Sequence, residues 1–112
     1  MKLGAHIWIG EGLLKTVEVA EYLGCDCIQI FLHNPRSWET KKRRKEEIVE
    51  FRNVLKEKGI EILIVHMPYI LNLSSPEKEI SLLSVKKLER EIEESEEIGA
   101  LYYIIHPGSH KG

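Results

Sequence analysis

The 112-residue sequence predicts an α/β fold, β-α-β-α-β-α-β, with one parallel sheet of four strands. Two observations carry the prediction. Short apolar, β-prone runs alternate with longer stretches whose apolar residues recur at helical spacing, and that alternation implies right-handed crossovers between parallel strands. Each helical stretch is followed by a glycine, at Gly24, Gly59 and Gly99, where a helix C-terminus favours one.

The first strand is read over residues 3–9, Leu-Gly-Ala-His-Ile-Trp-Ile, and Gly10-Glu11-Gly12 turns the chain. Residues 13–23 carry apolar side chains at Leu13, Leu14, Val17, Ala20 and Leu23, a helical stripe. Residues 26–32 form a second strand, which runs into His33-Asn34-Pro35-Arg36-Ser37-Trp38. A second helix is expected from about residue 39 to 58, with Ile48, Phe51 and Leu55 on one face. A third strand, residues 60–65, ends at His66 and gives way to a loop over 67–74. Ser75-Pro76 then reads as a helix start, a capping hydroxyl followed by a proline at the first helical position. That helix should end near Ile98 and bury Ile80, Leu83, Leu88 and Ile92. The last strand, Leu101-Tyr102-Tyr103-Ile104-Ile105, reads as buried on both faces and stops at His106-Pro107-Gly108-Ser109-His110.

Composition excludes several classes. Hydrophobic residues make up 43% and charged residues 30%, which argues for a packed domain and against disorder. The net charge of −2 sets up no global field for nucleic acid or anionic lipid, although the run Lys41-Lys42-Arg43-Arg44-Lys45 is a local basic patch. That run reads either as a solvated face or as a phosphate-steering one, and at a helix start it opposes the dipole. No apolar run approaches the roughly 20 residues of a membrane span, and no signal peptide opens the chain. No linker or composition shift splits it, so residues 1–112 are read as a single domain. Cys25 and Cys27, two apart on a strand, are poorly placed for a disulfide and read as reduced, buried residues of a cytoplasmic protein.

Function is signalled at the strand ends. His6, His33, His66 and His106 are spaced by about one βα unit, which would set all four on one rim of the sheet. Functional groups in parallel α/β folds gather at that carboxyl edge. Neutral imidazole is a good zinc ligand, and four such rings on one edge are hard to explain by packing, because each needs its nitrogens satisfied.

Three stretches then become specific together: Gly4-Ala5-His6; Gln29-Ile30-Phe31-Leu32-His33-Asn34-Pro35-Arg36-Ser37-Trp38; and His66-Met67-Pro68-Tyr69-Ile70-Leu71-Asn72-Leu73 with His106-Pro107-Gly108-Ser109-His110. In this order they resemble the N-terminal half of endonuclease IV, the zinc-dependent apurinic/apyrimidinic endonuclease built on a TIM barrel. The resemblance runs from Lys2 to His110. It implies a four-stranded half of such a barrel, a metal-dependent cleavage of DNA 5′ to abasic sites in base-excision repair, and abasic DNA as partner. His66 and His106 match ligands of the family's trinuclear zinc site. Arg36 and Tyr69 match residues inserted into DNA at the lesion; Asn34 and Asn72 lie in matching DNA-contacting loops. His6 and His110 match supporting positions. Read as residues alone, Arg36 also suits a surface ion pair and Tyr69 a loop anchor.

Two departures stand out. Trp8-Ile9-Gly10-Glu11-Gly12 replaces a family loop of small residues, and the chain ends at residue 112, whereas a TIM barrel takes roughly 250 residues. The family's remaining ligands come from later strands, so His66 and His106 alone fall short of the three protein ligands typical of catalytic zinc, and no catalytic set is complete in this chain. The expectation is an incomplete, inactive chain that pairs with a second copy or with a complementary C-terminal half. Two alternatives stay open: a non-catalytic half-barrel that binds DNA or a partner chain, and a fragment of a sugar isomerase or epimerase on the same barrel.

Overall fold

A computed structural model of the chain describes residues 1–112. Seven elements follow in the expected order: β1 Gly4–His6, α1 Leu13–Tyr22, β2 Cys27–Ile30, α2 Lys45–Glu57, β3 Ile62–His66, α3 Lys78–Glu97 and β4 Tyr102–Ile104. The four strands form one parallel sheet in the order β1-β2-β3-β4, so each crossover leads to the adjacent strand, as in an arc of a βα barrel.

Register decides which side chains share a face. Ala5, Ile28 and Leu63 are aligned, as are Gln29, Ile64 and Tyr102. Because side chains alternate across a strand, Ile28, Ile30, Leu63 and Val65 point toward the helices. There they join Leu13, Val17, Ala20, Phe51, Leu55 and Ile98 in the core. The opposite face carries His6, Gln29, Ile64, His66, Tyr102 and Ile104, of which Tyr102 and Ile104 are exposed. Ile7 and Ile30, like their neighbours on the helix side, lie in the core.

The structure corrects several expectations. β4 is not buried on both sides: Tyr102 and Ile104 are exposed, because β4 is an edge strand and its inner side is uncovered. Cys25 and Cys27 are free but half-buried. α2 begins at Lys45, later than the expected start near residue 39. Its first turn holds Glu46 and Glu47, which suit the positive end of the helix dipole, whereas the cations of residues 41–44 would oppose it there. α3 begins at Lys78, and Ser75 accepts a hydrogen bond from the Glu77 amide in a local turn instead of capping the helix.

The largest correction is the rotation of α3. Leu83 and Ile92, expected inside, are 42% and 45% exposed, and the inward face is Ser84, Lys87, Glu91 and Ser95. Ser84 and Ser95 satisfy their hydroxyls on the Ile80 and Glu91 carbonyls of their own helix. Lys87 and Glu94 reach instead to the segment between β2 and α2.

Candidate functional site

β3 and β4 end side by side, with His66 paired to Ile104 in the register. His106 follows two residues later, and its Nε2 lies 2.9 Å from His66 Nε2. His66 Nδ1 sits 2.6 Å from the Met67 carbonyl, so it carries the proton and donates it, leaving Nε2 as the ring's lone pair. The two Nε2 atoms meet each other at hydrogen-bond distance, one ring held in its tautomer by a backbone carbonyl, and a pair of neighbouring imidazole nitrogens oriented in this way is a donor set that a metal can draw on. No third His, Cys, Asp or Glu joins them in a cluster that would hold a metal. The donor set therefore fits part of a zinc site and does not close one.

An aromatic cluster surrounds the pair. His6 packs against Phe31 at 4.6 Å between ring centroids, and Phe31 lies 5.2 Å from His66 and 5.0 Å from Tyr69. Gln29 Nε2 donates to His6 Nδ1. Desolvation, helped by the neighbouring His66, lowers the His6 pKa, so the ring is neutral near pH 7. Tyr69 stands above the cluster with 65% of its surface exposed.

Three loops meet at this rim and are stitched by backbone contacts. The Ile70 amide donates to the Pro35 carbonyl, joining the Tyr69 loop to the Arg36 loop. Asn34 Oδ1 accepts from the Arg36 amide, which turns the chain there and leaves the Arg36 side chain exposed. Asn72 clamps the segment after β4: its Nδ2 donates to the Ser109 carbonyl and its Oδ1 accepts from the Ser109 amide, both at 2.9 Å. Ser74 Oγ donates to the Pro107 carbonyl. Gly108 is needed between those contacts, since it holds φ +92° and a Cβ on it would lie 2.3 Å from Asn72 Oδ1.

The rim thus gathers His6, His66, His106, Tyr69, Asn34, Arg36 and Asn72. One expected member differs. His33 is not on the rim: it turns to the helix side, where 6% of its side chain is exposed and its Nε2 meets Glu94 Oε2 at 2.7 Å. The chain has left the sheet by then, and a carboxylate on α3 satisfies the ring. His110 is exposed, and its neighbour Ser109 makes the contacts. Sequence reading missed Glu94, one of many glutamates on a charged helix. Trp8 is exposed with its indole across Gly10, beside Lys41 and Lys42 in a cleft of about 510 Å³.

The profile of the xylose isomerase-like TIM-barrel family matches residues 17–112. The chain belongs to that family. Within it, the match is to the N-terminal part of endonuclease IV. The chain is 38% identical over 112 residues to a probable endonuclease 4 of Halothermothrix orenii and 38% identical over 114 residues to that of Thermotoga maritima. Each alignment covers 100% of this chain and 40% of the relative, so the chain spans about two fifths of the curated relatives' length. Among solved structures, endonuclease IV from Thermus thermophilus superposes with a TM-score of 0.89 at 31% identity, over 99% of this chain and 42% of that one. D-psicose 3-epimerase superposes with a TM-score of 0.67 at 18% identity, over 90% of this chain and 36% of that one, a likeness of fold alone. The partial TIM barrel read from the sequence is therefore the architecture of this chain, and the endonuclease IV likeness is favoured over the epimerase one.

Proposed function

We propose that this chain is the N-terminal, DNA-reading part of a metal-dependent abasic-site endonuclease. The observation that carries the reading is the His66–His106 pair, its Nε2 atoms 2.9 Å apart, directly beside the loops that present Tyr69 and Arg36. On this reading His66 and His106 hold one edge of a zinc site, with His6 and His110 as supporting residues. Zinc at such a rim supplies positive charge to a phosphodiester and acidifies a bound water. No incision step is assigned to this chain, because its ligand pair does not close a site. Arg36 and Tyr69 contact DNA at the lesion and fill the gap left by a displaced nucleotide, a task suited to a guanidinium and an aromatic ring. Asn34 and Asn72 act by shaping the loops.

The reading further takes the chain as a single domain of a cytoplasmic protein, completed by a second copy or a complementary C-terminal half. No helix of the chain is long and apolar enough to cross a membrane. The test is binding of a short duplex carrying an abasic analogue, against the same duplex intact. Tight binding to the abasic duplex is expected to fall about tenfold in Arg36→Ala and Tyr69→Ala, with little loss on intact DNA, because wedges act on the distorted state and phosphate contacts act on any duplex. Equal losses on both duplexes would remove the wedge role. Calorimetry with zinc should show a weak site that His66→Ala or His106→Ala abolishes, and unchanged binding in both variants would sink the metal assignment.

A further inference from the structure

The loop of residues 31–44, which carries Asn34 and Arg36, is held by one carboxylate from a distant part of the chain. Glu94, on the inward side of α3, uses both oxygens: Oε2 meets His33 Nε2 at 2.7 Å and Oε1 accepts from Arg43 Nη1 at 2.8 Å. His33 stands at one end of the loop and Arg43 at the other. Arg43 also donates through Nη2 to the Leu32 carbonyl, which ties the two loop ends directly to each other. A third tether from the same helix is Lys87, whose Nζ reaches the Trp38 carbonyl at 3.4 Å. The tip itself is pinned by the Ile70 amide on the Pro35 carbonyl.

Stability alone is a poor explanation for this cluster. The side chains of His33, Arg43 and Glu94 are 6%, 14% and 23% exposed, so these polar groups have lost much of their water. Desolvation largely offsets the attraction within such groups, and apolar replacements are often as stable. What a bidentate carboxylate between two loop ends supplies is a fixed geometry. We infer that Glu94 is a positioning residue: through His33 and Arg43 it sets the conformation of the 31–44 loop, and thereby the place from which Arg36 meets the lesion. The clamp follows from the contacts of this chain; its consequence for DNA rests on the function proposed above.

The test uses the whole 112-residue chain with Glu94→Ala and Glu94→Gln. Amide hydrogen exchange reports the clamp without reference to DNA. In Glu94→Ala the hydrogen-bonded amides of Arg36, Ser37 and Glu39 should exchange about tenfold faster, while those of β2, β3 and mid-α3 keep wild-type rates. Slowed rotation of the Arg43 guanidinium, visible in nitrogen-15 spectra, should be lost with it. Glu94→Gln keeps an acceptor for Arg43 and should fall between the two. Preference for abasic over intact duplex should drop in the same order. Unchanged loop exchange in Glu94→Ala, or exchange raised evenly across the sheet and α3, would overturn the positioning role. Faster loop exchange with undiminished abasic preference would overturn its link to recognition. A wild-type chain with no abasic preference would instead refute the functional reading, and loop exchange with the Arg43 signal would still decide the clamp.

Discussion

Glu91 lies on the inward face of α3 with 1% of its surface exposed, and neither its carboxylate oxygens nor the Tyr103 hydroxyl facing it has a hydrogen-bond partner of good geometry. Burial raises the Glu91 pKa to about 7, with Lys87 pulling against the shift and Glu94 adding to it. Burial also raises the Tyr103 pKa and lowers that of Lys87. An acid whose pKa rises on folding holds its proton more tightly in the native state. Its unfavourable contribution is absent below the unfolded value of 4.5, grows as pH rises through about 7, and is complete above that. Glu91→Gln should therefore leave stability little changed near pH 4 and raise it by roughly 3 kcal/mol near pH 8. Urea unfolding at the two pH values checks this, and an equal effect at both would contradict the assignment. His6 has the opposite sense. Its lowered pKa makes the neutral ring the stable form, and that contribution is lost as pH falls below 6.5.

At the scale of elements, the rim depends on how the loop after β3 holds the segment after β4. Asn72 accepts and donates to Ser109 across the turn at Gly108, and this keeps His106 beside His66. Gly108→Ala would place a methyl group against Asn72 Oδ1 in a backbone region unfavourable for alanine. It should cost about 1–3 kcal/mol and weaken zinc binding through displacement of His106. Asn72→Ala should weaken zinc binding in the same way while costing less stability, because the exposed Ser109 backbone can turn to water. Calorimetric zinc titration beside denaturant unfolding separates the two effects, and zinc affinity unchanged in both variants would show that the clamp does not place His106.

At the scale of the whole molecule, the chain is a slab of 45 × 32 × 21 Å with a radius of gyration of 14.8 Å, above the roughly 13 Å of a compact chain this long. Helices cover one side of the sheet. The other exposes Tyr102 and Ile104, and α3 exposes Leu82, Leu83, Val85 and Ile92. β1 and β4 are edges, whose free backbone groups can pair with another chain. Apolar surface is worth roughly 25 cal/mol per Å² when buried, so the isolated chain is expected to self-associate at micromolar concentration. Ile104→Lys and Ile92→Lys should shift it toward monomer. Light scattering reads the outcome, and a compact monomer of the unaltered chain would contradict it.

Local chemistry determined the order of elements, the helix stops and the rim residues, because apolar period, glycine after a helix and a Pro-Gly stop act within a few residues of where they stand. The His66–His106 pair was legible for the same reason: adjacent parallel strands bring equivalent strand ends together. Other features were decided only in three dimensions. α3 turns Lys87 and Glu94 inward because the loop over residues 31–44 offers His33, Arg43 and the Trp38 carbonyl as partners, and a helical pattern alone carries no sign of partners dozens of residues away. The same contacts took His33 off the rim and drew Arg43 out of the expected start of α2. The face taken by each strand residue was likewise set by register, where a shift of one residue exchanges core and open side along the whole strand.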